Sequence, residues 1–173
     1  MPVYNVEKYL EEAILSVINQ TIGFKENIQL IIVNDGSKDN SEKIALKYEK
    51  MYPKNIVYIK QKNAGVCSAR NKGFEYVEGE YVNFMDSDDK WDLNAFKYIG
   101  DFIKKHPDEA DIVAARIKFF EAKTNYHMLD YKFEKTKVVD ILEDYNFAHL
   151  HNATTFINTE VAKNHKFDVR LKY

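Results

Sequence analysis

The chain is poor in the residues that mark several protein classes: it has one cysteine, three prolines and six glycines in 173 residues. The lone thiol, Cys67, excludes an intramolecular disulfide and fits a reducing cytoplasm. No apolar run approaches the roughly 20 residues that span a bilayer, and the amino terminus lacks the charged and apolar regions of a signal peptide. Charge of one sign is also lacking, with 25 Lys and Arg against 27 Asp and Glu for a net charge of -2. That balance gives no global pull toward nucleic acid or anionic lipid, so any phosphate chemistry has to be local. A Walker loop, a GxGxxG run, a GxSxG elbow and an HExxH helix are all missing, which removes the best-marked nucleotidase, dehydrogenase and hydrolase readings.

What is present is a core-forming composition, 45% hydrophobic and 14% aromatic, enough for one domain with a real interior. Tyr9, Leu10, Ala13, Ile14, Val17 and Ile18 recur with the helical period. Residues 28–33 form a β-branched run that stops at the turn Asn34-Asp35-Gly36-Ser37. Asp39 followed by Glu42 predicts a capping box for a helix through Tyr48, which Pro53 ends. Residues 55–60 read as a strand, and the turn Asn63-Ala64-Gly65 leads into a helix carrying Val66, Ala69, Phe74 and Val77. A strand over 81–85 follows, then a helix through Ile103 stopped at His106-Pro107, then a strand over 111–120.

This alternation predicts an α/β domain with a mostly parallel central sheet flanked by helices. Later the pattern weakens: 123–137 is polar and aromatic, 138–147 is predicted helical and 153–158 is a late strand. Met1 to Tyr4 reads as the exit of a strand and 167–171 runs out inside an element. The expectation is a single domain over 1–173, truncated at both ends.

In an open α/β sheet, ligands bind beyond the carboxyl ends of the strands. Three such ends carry polar signatures: Val3-Tyr4-Asn5, Asn34-Asp35-Gly36-Ser37, and the apolar run from Tyr81 that empties into Asp86-Ser87-Asp88-Asp89. Carboxylates crowded at one strand end repel unless a positive charge sits there, and a hard divalent cation with a phosphate-bearing substrate would supply it. Asp35 could accept the ring hydrogen of a uracil, Tyr4 could stack on that base, and Asp88 could hold a metal bridging two phosphates. An EF-hand is excluded because Lys90 and Trp91 stand at its fifth and sixth positions, so the acidic DXD motif suits magnesium or manganese with few protein ligands. The loop Asn63-Ala64-Gly65, a helix start and Arg70-Asn71 could embrace part of a sugar nucleotide. Taken singly, each has a plainer reading: a turn, a solvated acidic loop, a core or surface tyrosine, an ordinary helix. His149 and His151 lack a third ligand for zinc.

Pro2-Val3-Tyr4-Asn5, Val33 through Ser37, Asn63-Ala64-Gly65 with Ala69-Arg70-Asn71, and Gly79-Glu80-Tyr81 through Asp89 resemble, in this order, family 2 glycosyltransferases. Phe167-Asp168 resembles a later segment of that family. The resemblance implies a GT-A, Rossmann-like fold and an inverting transfer from a nucleotide sugar, usually a UDP sugar. The acceptor would be a hydroxyl of a glycan or lipid-linked molecule, the cofactor a divalent Mn or Mg, and the setting bacterial polysaccharide or cell-surface glycan synthesis. It also implies a cytoplasmic place, reached at the inner membrane face through parts or partners outside this chain.

Carried over by residue, Pro2, Val3 and Tyr4 would line the uracil pocket beside Asn5, and Asp35 would read the base. Asn63, Gly65, Arg70 and Asn71 would border the donor. Asp86, Ser87 and Asp88 would form the metal-and-ribose motif, with Asp88 the preferred direct metal ligand and Asp86 the second. Asn34 departs from the family, many of whose members carry a second acid there. The catalytic base is expected beyond Tyr173, Asp168 coming too early for it. Residues 1–100 would be the nucleotide-sugar-binding part and 101–173 the start of the acceptor side. Two other readings compete: a metal-dependent nucleotidyltransferase, which the lack of a Gly- and basic-rich triphosphate loop disfavours, and a donor-binding module without turnover.

Overall fold

The computed structural model describes residues 1–107, 109–115 and 152–171. In chain order the elements are β1 (Pro2–Val3), α1 (Leu10–Ile18), α2 (Phe24–Asn27), β2 (Leu30–Asn34), α3 (Ser41–Met51), β3 (Ile56–Lys60) and α4 (Val66–Phe74). They continue with β4 (Tyr81–Asn83), α5 (Ala95–Lys105), β5 (Ile112–Ala114), a 3₁₀ turn at Asn152–Thr154, β6 (Thr155–Asn158) and α6 (Thr159–Ala162). The helix predicted over 138–147 and the part of the 111–120 strand past residue 115 lie outside the described residues. The short helices α2 and α6 escape the sequence reading because one turn has no period to detect.

β2 is apolar along nearly its whole length and sits between two parallel neighbours in the order β1-β2-β3, as expected of a strand covered on both faces. Val3 is level with Asn34, and Asn34 with Lys60, so the three carboxyl ends share one edge. The second sheet, β4-β6-β5, is antiparallel throughout. The expected parallel character therefore holds for the first sheet alone. Strand direction was not legible for β6, because it is followed at once by α6 and so lacks the crossover rhythm that implies a parallel step.

α1 buries Leu10, Ala13, Ile14 and Val17, one helical stripe that meets Ile32 and Ile56 of the parallel sheet in the main core. α4 lies on β2 because Gly73 has no side chain: a Cβ there would come within 3.1 Å of Val33 and 3.6 Å of Ile31. A second core joins Trp91, Phe96 and Phe156, whose rings meet at 5.2 to 5.5 Å. Gln20, 3% exposed, ties α1 to this region by donating to the Asp92 carbonyl at 2.7 Å and accepting from the Phe96 amide at 3.0 Å.

The expected Asp39–Glu42 capping box does not form. α3 begins at Ser41, and Asp39 accepts from the Ser41 amide at 3.0 Å and the Glu7 amide at 2.9 Å. Glu7 returns the bond by accepting from the Asn40 amide at 2.8 Å, so the helix start is satisfied by a residue distant in sequence. Glu42 is drawn away by Lys60, whose ammonium is 2.7 Å from its carboxylate.

The segment after α6 is clasped by Asn71, whose amide donates to the Phe167 carbonyl and accepts from the Phe167 N–H, both at 2.9 Å. Phe167 also meets Phe84 edge to face at 4.8 Å. Replacing Asn71 by Ala leaves both Phe167 backbone groups unpaired and is expected to destabilise the fold by about 1–3 kcal/mol, with faster proteolysis at Lys166. Chemical denaturation and limited digestion check both effects.

Met1 as a whole is half-buried, but its amino group is enclosed and donates to the Ile31 carbonyl at 2.9 Å. Burial lowers its pKa from 8.0 to about 5, with Asp86 opposing and Arg70 adding to the shift. Between those values the unfolded chain carries a proton on this amine that the fold does not, so stability rises with pH. Glu42, held low by Lys60, and Asp168, held low by Arg170, make their contributions in full above their ordinary values of 4.5 and 3.8. The melting temperature is therefore expected to climb from pH 5.5 to 8 at fixed ionic strength. A flat profile in thermal denaturation would place the amine in water.

Candidate functional site

The site lies along the shared carboxyl edge of β1, β2 and β3, where three loops are bonded to one another. Asp35, at the end of β2, is 3% exposed. A buried carboxylate needs donors, and the loop after β3 brings them. Oδ1 accepts from Gln61 Nε2 at 2.7 Å and the Ala64 amide at 2.8 Å, and Oδ2 accepts from the Gly65 amide at 2.9 Å. Asn63 adds a bond to the Asp35 carbonyl at 3.0 Å. Gly36 lets the loops meet: its φ is +75°, and a Cβ would come within 3.0 Å of the Asn63 nitrogen.

The loop after β1 joins the same edge. The Asp35 amide donates to the Val3 carbonyl at 2.8 Å, Asn5 accepts from the Lys38 amide at 2.7 Å, and the Asn5 amide donates to Ser37 Oγ at 3.1 Å. Asn5 takes a left-handed φ of 52° to do so. Val3 packs in the core at 1% exposed while Tyr4 is 48% exposed, which leaves Tyr4 as the open face of the Pro2-Val3-Tyr4 stretch. Asn34 is fully buried, donating to Tyr58 Oη at 2.9 Å and accepting from the Ser37 amide at 2.9 Å.

The acidic motif after β4 is divided. Asp86 is paired with Arg70 at 2.7 Å, and the Arg70 guanidinium also lies over the Phe167 ring at 5.3 Å. Arg70 Nε is buried with no partner among the described residues. Ser87 is buried, whereas Asp88 is exposed, its carboxylate accepting no hydrogen bond from the described residues. The counter-charge that the sequence asked for thus comes in part from within the chain. Asn63 and Gly65 are exposed at the rim, but Asn71 spends its amide on Phe167. Gln61 had no place in the sequence reading, and Phe167 entered it only through the resemblance of Phe167-Asp168, without its contacts to Asn71 and Arg70. Both act through tertiary contacts that leave no mark in local spacing.

No group of three or more His, Cys, Asp or Glu residues able to hold a metal ion occurs among the described residues. The exposed Asp88 carboxylate, with Asp86 two positions before it, fits a hard ion that takes few protein ligands and completes its shell with water and phosphate oxygens. Asp168 accepts from Arg170 Nε at 2.9 Å and Nη2 at 2.6 Å, and that pairing holds its carboxyl below the ordinary range. No helix among the described residues is long and apolar enough to cross a membrane.

Comparison with known proteins agrees with this arrangement. Minor teichoic acid biosynthesis protein GgaB of Bacillus subtilis (strain 168) is 49% identical over 172 residues, 99% of this chain and 19% of its own length. GgaA of the same organism, also named a minor teichoic acid biosynthesis protein, is 40% identical over 159 residues, 90% of this chain and 35% of its own length. The chain thus spans a minor part of each of these relatives. The crystal structure of S. aureus TarS matches with a TM-score of 0.84 and 27% identity, covering 99% of this chain and 30% of TarS. TarS 1-349 in complex with UDP-GlcNAc matches with a TM-score of 0.80 and 27% identity, over 94% of this chain and 45% of that one. These likenesses and the helix-flanked parallel sheet establish an α/β fold of the GT-A type. The family model described as glycosyl transferase family 2 matches residues 1–165, and the chain belongs to that family.

Proposed function

We propose that this chain is the donor-binding part of an inverting glycosyltransferase that moves a sugar from a UDP sugar to a hydroxyl of a teichoic acid or related surface glycan. The observation that carries the proposal is the convergence of three loops on the buried Asp35, beside an exposed Tyr4. Asp35 has three donors, and an ionised carboxylate offers about four lone-pair sites. One acceptor position on Oδ2 is left, which suits the single imide hydrogen of uracil. Tyr4 supplies the stacking face. The complexes of TarS with UDP and UDP-GlcNAc support a uridine donor here, and the names of GgaB and GgaA support the acceptor class.

Asp88 is the proposed direct ligand of Mn or Mg, and Asp86, fixed by Arg70, the proposed ribose-side partner. When bound, the ion would neutralise charge developing on the leaving diphosphate. Arg70 holds Asp86 in one orientation, and the Asp35 network keeps the 61–65 loop shaped for the donor. Taking the acceptor's proton falls to a carboxylate outside the described residues, since Asp168 is tied to Arg170. Residues 1–100 form the proposed donor part and the remainder opens the acceptor side.

Two measurements test this. Calorimetric titration of UDP is expected to show tighter binding with manganese than without it, and Asp88→Ala is expected to abolish that difference while preserving the metal-free affinity. Manganese enhancement that survives the substitution removes Asp88 from the metal. Tyr4→Ala, at an exposed position, is expected to weaken UDP by about 1–3 kcal/mol, the range for one base stacked on an aromatic ring, with no change in melting temperature. Unchanged UDP affinity would remove the stacking role.

A further inference from the structure

Of the three donors to the Asp35 carboxylate among the described residues, the Ala64 and Gly65 amides belong to the backbone, and every residue but proline supplies such a group. Gln61 alone donates from a side chain. It follows β3 directly, and because Asn34 is level with Lys60, the next rung sets Gln61 opposite Asp35. Its backbone amide donates to the Asn34 carbonyl at 2.9 Å, which carries the bonding of β3 to β2 one step past the strand. The carboxamide Nε2 donates to Asp35 Oδ1 at 2.7 Å and reaches Ser68 Oγ on α4 at 3.4 Å. A strand edge and a helix thus hold one donor against one oxygen of Asp35.

The two carboxylate oxygens are unequally filled. Oδ1 accepts from Gln61 and Ala64, whereas Oδ2 accepts from Gly65 alone. Each oxygen of an ionised carboxylate has about two lone-pair sites, so Oδ1 is closed and Oδ2 keeps one position. A base with a single ring N–H, such as uracil or hypoxanthine, is satisfied by that position. Guanine presents N1–H and the exocyclic N2–H side by side, a fork that a carboxylate meets with both of its oxygens. With Oδ1 closed, the second hydrogen of the fork loses its water and finds no acceptor, which counts against binding.

We propose that Gln61 is a specificity-determining residue: by filling Oδ1 it limits the base pocket to a base with one ring donor and rejects guanosine nucleotides. This role rests on the reading of Asp35 as the carboxylate that meets the base. Without the Gln61 carboxamide, Oδ1 gains an open position beside that of Oδ2, and the two together match guanine. A side chain that keeps a donor at this place keeps the discrimination.

The test is calorimetric titration of UDP, inosine diphosphate (IDP) and GDP at one manganese concentration. IDP and GDP differ only in the 2-amino group, so ring size cancels in their ratio. Wild type is expected to bind IDP at least about fivefold more tightly than GDP, as a buried donor without an acceptor requires. Gln61→Met, which keeps the length of the side chain and removes its donor, is expected to move that ratio toward GDP at least about tenfold. Gln61→Lys, which retains a donor, is expected to keep the wild-type ratio. A merely structural role would weaken all three nucleotides together. An unmoved ratio in the methionine form would therefore overturn the proposal, as would a shift toward GDP in the lysine form. Failure of both purine nucleotides to bind any form would also overturn it, because size would then exclude guanine. UDP binding to wild type is the separate check on the underlying reading. No UDP binding removes the donor site itself, whereas UDP binding with an unmoved ratio removes only the role of Gln61.

Discussion

The Asp35 carboxylate is the point on which the loops at the carboxyl edge of the parallel sheet depend. Its burial would be prohibitive without donors, and the three that it has all come from the loop after β3. That loop has little else to shape it, since Asn63, Ala64 and Gly65 are exposed. The backbone of Asp35 serves the other neighbour by donating to Val3. One residue therefore fixes the loops after β1 and β3 from the end of the strand between them. The register of β1, β2 and β3 makes this possible by ending the strands at one level.

A second constraint concerns how negative charge is placed. Asp86 and Asp88 are equivalent in the sequence motif, yet they live in different surroundings. Arg70, with 13% of its side chain exposed, pairs with Asp86 and rests on Phe167. Asp88 points to solvent. The pair is thus split into an anchored carboxylate and an open one. A carboxylate fixed by a guanidinium resists reorientation, because the planar fork holds direction as well as charge. The open one keeps its oxygens for what comes from outside.

Much of the fold could be read from the chain because its elements carry strong periodic signals. The stripe of Leu10, Ala13, Ile14 and Val17 identified α1, and the apolar run ending at Asn34 identified β2. The direction of β6 could not be read, since apolar alternation is the same for parallel and antiparallel strands. The helix start at Ser41 was misassigned for a related reason: Asp39 and Glu42 have the right spacing, but Glu7 and Lys60 compete for the same groups. At the site, the polar strand ends were legible as motifs. Their partners were not, because Gln61, Phe167 and the second function of Asn71 exist only through contacts across the fold.

The Asn71 clasp has a consequence for how the molecule assembles. Its two bonds join residues 96 positions apart, whereas the loops around Asp35 are tied across 26 to 30 positions. Closing the longer span sacrifices more chain entropy before any contact repays it. The parallel sheet and its loops can therefore form while the later chain is still unstructured, including during synthesis from the amino end. Docking of the 165–171 segment onto the α4 face therefore carries the larger entropic cost of the two closures.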